Sequence, residues 1–225
     1  MLKLHGFSSS NYYNVPKLAL LEKGLPFEEV VSYTGVGPKY RPEYLQKSPL
    51  GKVPCLETPE GFISESRAIL EYIERAHPEP SLLPDTPFGV AKVQEFSQFI
   101  ELYFELVARR LIPNLLSGRQ ADPAVLKEVE SGLTKAAAAL PALSSFETFA
   151  YGDQFTLADI AAILNLPIVR DVGNRFFNND PLAAVPGLSD YCARMEERPH
   201  VKTIRVDAAA DRPGFMAHLK ELYGI

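Results

Sequence analysis

The run SPLGKVPCLETPEGFISESRAILEYI, Ser48 to Ile73, decides the fold. Val53 to Glu57 and Phe62-Ile63 read as two short strands. Thr58-Pro59-Glu60-Gly61 between them has the composition of a tight turn. Ser64-Glu65-Ser66 then precedes Ala68-Ile69-Leu70-Glu71-Tyr72-Ile73, whose apolar spacing is helical, and the run ends near His77-Pro78. A proline opening a strand donates no ladder hydrogen bond, so Pro54 marks an edge or a special turn.

Toward the N-terminus the pattern alternates. Leu2 to Gly6 alternates apolar and polar and predicts a strand. Val15 to Lys23 is helical in period and stops at Gly24, where positive φ has no Cβ cost. Pro26 to Val31 predicts a second strand. Gly35 to Pro42 is irregular, and a helical turn follows at Glu43 to Lys47. The order is β-α-β-α-β-β-α. Toward the C-terminus, Pro78, Pro80, Pro84 and Pro87 fall within His77 to Pro87, so no helix continues and a domain boundary is expected there. Beyond it only helices are predicted. One runs from Phe88 to about Leu116 and is bent or ended by Pro113. Asp122-Pro123 opens another that reaches about Leu140. Thr156 starts a third, and Pro186 to Arg198 and His200 to Ala210 are two more, parted by Pro199. The expected domains are 1–78, α/β, and 88–225, all-α.

Composition narrows the classes. Of 225 residues, 46% are hydrophobic and 23% charged, which is ordinary for a globular chain able to bury a core. Net charge is −5 and no Lys/Arg cluster is dense enough to track phosphates, so no nucleic-acid partner is expected. Cys55 and Cys192 form no CxxC and no metal-ligand spacing, so neither a disulfide scaffold nor a metal is expected. MLKLHGFSSS lacks the apolar stretch of a signal peptide. No window approaches the roughly 18–20 apolar residues that span a bilayer. The expectation is a cytoplasmic protein with no membrane contact.

SPLGKVP at Ser48 to Pro54 and ESRAI at Glu65 to Ile69 resemble the glutathione-binding signature of the cytosolic glutathione transferase family. FTLADI at Phe155 to Ile160 resembles its helical-domain capping motif, and the resemblance covers essentially the whole chain. It implies a thioredoxin-like first domain and an all-helical second one. It further implies that Val53-Pro54 is cis and that Val53 pairs through its main chain with glutathione, as an added strand would. Glu65 and Ser66 would hold the γ-glutamyl end. Their position at a helix start suits this, because first-turn N–H groups lack partners and the dipole there is positive. Alone, Ser64 or Ser66 reads as an N-cap and Glu65 as a first-turn dipole partner. Lys52 would hold the glycyl end. Lys39 and Arg41 lie where a further carboxylate contact usually sits, although the family's His is missing; Lys39 is the weak assignment. Phe155 to Ile160 reads as a capping box, with Thr156 at N-cap and Asp159 at N3. That motif is structural and says nothing of substrate.

The first turn reads Phe7-Ser8-Ser9-Ser10-Asn11-Tyr12 and carries no cysteine, so the resemblance makes the glutathione thiol the nucleophile. A free thiol has pKa about 8.5, and lowering it by about two units takes roughly 2.7 kcal/mol of thiolate stabilisation. Serine-type classes of the family place the donor fourteen residues before the helix-ending glycine, which is Ser10. Ser8 and Ser9 are alternatives after a one-residue slip, and Asn11 is an amide alternative. Tyr12 and Tyr103 are the candidate walls for the electrophile. Cys55 reads as a small buried strand residue. The leading expectation is conjugation of glutathione to small electrophiles. Glutathione-dependent peroxide or disulfide reduction and a non-catalytic interaction module are the alternatives. A homodimer is expected, with Arg67 and the stripe Val93 to Glu105 contributing.

Overall fold

The structure, a computed structural model, describes residues 1–33 and 42–223. Lys39 and Arg41 lie outside the described residues. Two compact units form: residues 1–81 together with 197–225, and residues 82–196. The sequence places 197–225 with the second domain; the structure groups this segment with the first.

In the first unit, β1 (Leu2–Gly6), α1 (Asn11–Glu22) and β2 (Phe27–Val31) form a β-α-β unit, and β2 lies parallel to β1. A short α2 (Pro42–Leu45) precedes the hairpin of β3 (Cys55–Thr58) and β4 (Gly61–Ser64), and α3 (Ser66–Ala76) follows. The sheet order is β2-β1-β3-β4, with β3 antiparallel to both neighbours. This is the thioredoxin-like order the sequence implies. A crossover helix allows the parallel pair, whereas a tight turn requires the antiparallel one. Leu2, Leu4 and Leu56 of the sheet pack with Tyr13, Leu20, Ile69 and Ile73 of α1 and α3.

Two glycines are fixed by geometry. Gly24 has φ 63°, and its N–H bonds Leu21 O while the Leu25 N–H bonds Leu20 O. That is the double closure of a Schellman end, as the sequence predicts. A Cβ on Gly6 would lie 2.2 Å from the Tyr13 ring, so only glycine lets α1 pack against the end of β1. Lys23 is buried and its Nζ meets Glu74 at 2.8 Å and Pro80 O at 2.6 Å. This contact ties the proline-rich stretch to the first unit and carries its boundary on to Ser81.

In the second unit, Thr86 caps α4 (Pro87–Phe99) by accepting from Gly89 N–H. The helix continues as a π segment (Ile100–Glu105) and α5 (Leu106–Arg109), then breaks, and α6 (Ile112–Ser117) restarts. Pro113 sits in the first turn of α6, where its missing N–H costs nothing. So the single helix expected to Leu116 is two. Asp122 caps α7 (Pro123–Ala139) by accepting from Ala124 N–H at 2.7 Å. Buried residues all round α8 (Leu157–Phe177) make it the centre of this unit. Asp159, fully buried, accepts from Thr156 N–H at 2.8 Å, Ala150 N–H at 2.8 Å and Tyr191 OH at 2.9 Å. The expected capping box is therefore present, with Tyr191 of α9 (Leu188–Glu196) fastened to it.

The last helix, α10 (Pro199–Tyr223), runs well past Ala210, where the sequence ends it. Pro213 and Gly214 look like breakers locally, yet both sit inside it. Tertiary contacts override the local preference.

Candidate functional site

Three chain segments of the first unit carry the predicted residues. The first is the approach to β3. The Val53-Pro54 bond is cis. Ser48 and Gly51 are buried, and Gly51 N–H closes a turn on Ser48 O at 2.8 Å. Tyr44 of α2 donates to Lys52 O at 3.3 Å. The Lys52 side chain is exposed. Cys55 is fully buried and burial pushes its thiol up to about 11, so it is the packed strand residue that the sequence suggests and not a reactive thiolate.

The second segment is the start of α3. Glu65 stands at the N-cap with φ 70° and ψ 119°, a conformation that costs a non-glycine residue on the order of 1–3 kcal/mol. Its carboxylate makes no capping bond and is exposed. Neither Ser64 nor Ser66 is the cap. The Ser66 hydroxyl, buried, donates to Tyr12 O at 3.0 Å. Its proton is thus committed to the first turn of α1, which differs from the ligand-facing hydroxyl the sequence implies. What α3 offers an anion here is its first-turn N–H groups.

The third segment is the turn between β1 and α1. Ser10 is the N-cap of α1, and its Oγ accepts from Tyr13 N–H at 3.3 Å. An accepting hydroxyl keeps its own proton to donate. Ser8 Oγ faces Lys17 Nζ at 3.4 Å, and Ser8 O accepts from Asn14 Nδ2 at 2.8 Å. Ser9 Oγ is buried without a partner, while the Ser9 N–H donates to Asp211 Oδ2 at 2.8 Å. Of the three serines, Ser10 has its Oγ at the helix start, Ser8 is turned to a cation, and Ser9 is shut in. Asn11 is the first residue of α1.

Charges around this turn are paired or hydrogen-bonded. Lys17, 1% exposed, directs Nζ to Glu29 at 2.7 Å and Asp207 at 2.8 Å as well as to Ser8. Tyr13 OH donates to the same Glu29 oxygen at 2.7 Å, and burial followed by that carboxylate holds the phenol far above its ordinary range. Tyr33 OH donates to Asp211 Oδ1 at 2.6 Å, and burial, then Asp211, push it up to about 12. Sequence reading misses Lys17, Asp207, Asp211 and Tyr33. The signal that could have found the two aspartates is their i, i+4 spacing with Phe215 in a run whose helix the sequence reading ends at Ala210.

Tyr12 contributes its carbonyl to Ser66 and is partly buried. Tyr103 belongs to the second unit, where it is 54% exposed and rests on Phe99 at 5.1 Å between centroids. Among the described residues no cluster of His, Cys, Asp and Glu could hold a metal, and no helix is long and apolar enough to cross a membrane.

Residues 4–81 match the family model of the glutathione S-transferase N-terminal domain, and residues 99–199 that of its C-terminal domain. The chain belongs to the glutathione transferase family. A glutathione S-transferase of Pseudomonas putida F1 is 43% identical over 220 residues, covering 98% of each chain. A crystal structure of a glutathione S-transferase from Methylobacterium radiotolerans, in complex with glutathione sulfonate, is 30% identical with a TM-score of 0.66. It covers 88% of this chain and 92% of that one. A probable elongation factor 1-gamma 2 of Arabidopsis thaliana is 29% identical; the match covers 92% of this chain and 49% of that protein. All three segments of this glutathione transferase family member lie within residues 4–81, the span matched by the N-terminal family model.

Proposed function

We propose that this protein is a glutathione transferase in which Ser10 activates the thiol of bound glutathione for attack on small electrophiles. The observation that carries the reading is the Ser66 Oγ–Tyr12 O bond of 3.0 Å, which holds the start of α3 beside the first turn of α1. One extended tripeptide then meets both helix starts. Its γ-glutamyl carboxylate takes the first-turn N–H groups of α3, and its ammonium takes the exposed Glu65 carboxylate. Val53 pairs with its main chain, and Lys52 takes its glycyl carboxylate. Lys39 is left as a further carboxylate contact on resemblance alone.

The thiol gives its proton to solvent, and the thiolate sits against the Ser10 hydroxyl and the N-terminus of α1. Lys17, the cation beside the turn among the described residues, is already paired with Glu29 and Asp207. A charge-assisted hydrogen bond of about 1.5–3 kcal/mol and a helix-start contribution of about 0.3–1 kcal/mol cover the roughly 2.7 kcal/mol that two pKa units demand. The sulfur then bonds to the electrophilic carbon; in a substitution that carbon expels its leaving group with the bonding pair, and in an addition the displaced pair moves to the neighbouring atom, which takes up a proton from solvent. Tyr12 and Tyr103 are proposed to contact that second substrate.

The test is the ultraviolet thiolate signal of bound glutathione against pH in wild type, Ser10→Ala and Asn11→Ala. A raised thiol pKa is expected in Ser10→Ala, and an unchanged one removes Ser10 from the role. The likeness to the elongation factor favours a second reading, a non-catalytic interaction module; failure to bind a glutathione-affinity column would favour it. A homodimer is proposed, with Arg67 and the stripe Val93 to Glu105 contributing; Leu102 of that stripe is exposed. The proposal fails if light scattering shows a monomer at micromolar concentration. The proposed location is cytoplasmic, with detoxification as the role.

A further inference from the structure

Asp207, Asp211, Gly214, Phe215 and His218 stand at helical spacing on one face of α10. All five meet the serine turn or the residues beside it. Asp207 pairs with Lys17, whose third donor points to Ser8 Oγ. Asp211 takes the Ser9 N–H with one oxygen and the Tyr33 hydroxyl with the other. A Cβ on Gly214 would lie 2.6 Å from Tyr33 OH, so glycine permits this approach. Phe215 stacks on Phe7 at 4.9 Å, and His218 on Tyr33 at 5.2 Å.

This arrangement is more than packing would need. A carboxylate beside a helix start that must stabilise a thiolate is an electrostatic cost. It is retained where it does something else, and here Asp211 Oδ2 is the acceptor for Ser9 N–H, one residue before the cap. Ser10 is held on its other side by its own N–H to Phe7 O at 3.0 Å. The two bonds fix the turn from both ends.

We propose that Asp211, supported by Asp207 through Lys17, is a positioning residue: the C-terminal helix clamps the serine turn so that Ser10 Oγ and the first N–H groups of α1 are aimed at the sulfur. The proposal rests on the glutathione transferase reading above. Neither aspartate touches the substrate. Small misplacements at a reacting centre cost large factors in rate, so losing the clamp should act on activation more than on binding.

The experiment compares wild type, Asp211→Ala and Asp211→Asn. For each, the glutathione dissociation constant, the pH titration of the bound thiol and the urea unfolding curve are recorded. Asp211→Ala is expected to raise the pKa of the bound thiol by about one unit, so that the thiolate fraction near neutral pH falls by roughly threefold, while the dissociation constant moves much less. Asp211→Asn keeps an oxygen for Ser9 N–H and an amide for the Tyr33 phenol, and it should restore the titration to near wild type. An unchanged thiol titration in Asp211→Ala overturns the proposal, whatever happens to its stability. So does an Asn variant as impaired as the Ala one. Should Asp211→Ala not fold, Asp211→Ser, too short to reach Ser9, carries the same test. A wild type that binds no glutathione overturns both the clamp and the reading beneath it; a wild type that binds and activates it, beside an unaffected Ala variant, overturns the clamp alone.

Discussion

Replacing Asp159 by alanine should be among the most destabilising single changes in the second unit. The side chain accepts from Thr156 N–H, Ala150 N–H and Tyr191 OH, all within 2.9 Å and buried. Each donor left without an acceptor costs about 1–3 kcal/mol. Three of them give about 3–9 kcal/mol before any relief. The relief is the desolvation of the carboxylate itself, large enough that burial raises its pKa despite every bond it receives. The net expectation is a loss of about 3–5 kcal/mol, a large share of the about 5–15 kcal/mol that holds a typical domain. Urea unfolding followed by circular dichroism reads it as a fall in midpoint. Asp159→Asn should lose less, since one oxygen survives, although an amide then faces Thr156 N–H. Thr156→Ser keeps the capping hydroxyl and serves as the mild comparison. A loss below about 1 kcal/mol in Asp159→Ala would show that water or local rearrangement satisfies these donors, and the reasoning from buried hydrogen bonds would be refuted.

Two further outcomes are expected. Glu65→Gly relieves the positive-φ strain, about 1–3 kcal/mol, against about 0.5–1 kcal/mol of added backbone entropy in the unfolded chain. The melting midpoint should therefore rise while glutathione binds more weakly, and a lowered midpoint contradicts the strain argument. Tyr33 ionises at about 12 in the fold against the ordinary 10.0. Because the folded value is the higher, its stabilising contribution is complete below pH 10.0 and is lost as pH climbs toward about 12. Tyr33→Phe should make the alkaline fall in stability shallower over that window, and superimposable profiles would refute the assignment.

Features with a local physical cause were legible in the chain. Gly24 ends α1 because a short-range closure needs positive φ there. The caps at Asp122 and Thr156 need only residues within a few positions. The hairpin and the helix after it follow from apolar period and turn chemistry. Assigning the thiol activator was harder: sequence counting favours Ser10 yet leaves Ser8, Ser9 and Asn11 open. In the fold the surroundings of the three serines differ. Lys17 draws Ser8 Oγ, burial closes off Ser9 Oγ, and Ser10 alone of the three caps α1. The acceptor of the Ser66 hydroxyl likewise lies 54 residues away in the chain.

By itself, then, the sequence determined the order of elements in the first unit, the end of α1 at Gly24, the capped helix starts at Asp122 and Thr156, and the glutathione-binding signature, because propensity, capping and periodicity act over a few residues. Only the tertiary structure decided that α10 continues through Pro213 and returns to the serine turn. Pro213 forfeits a helix hydrogen bond and Gly214 a side chain, losses that a local reading counts as an end. Asp211, Phe215 and His218 regain them against Ser9, Phe7 and Tyr33, contacts that exist only once roughly two hundred residues of chain have folded between the partners.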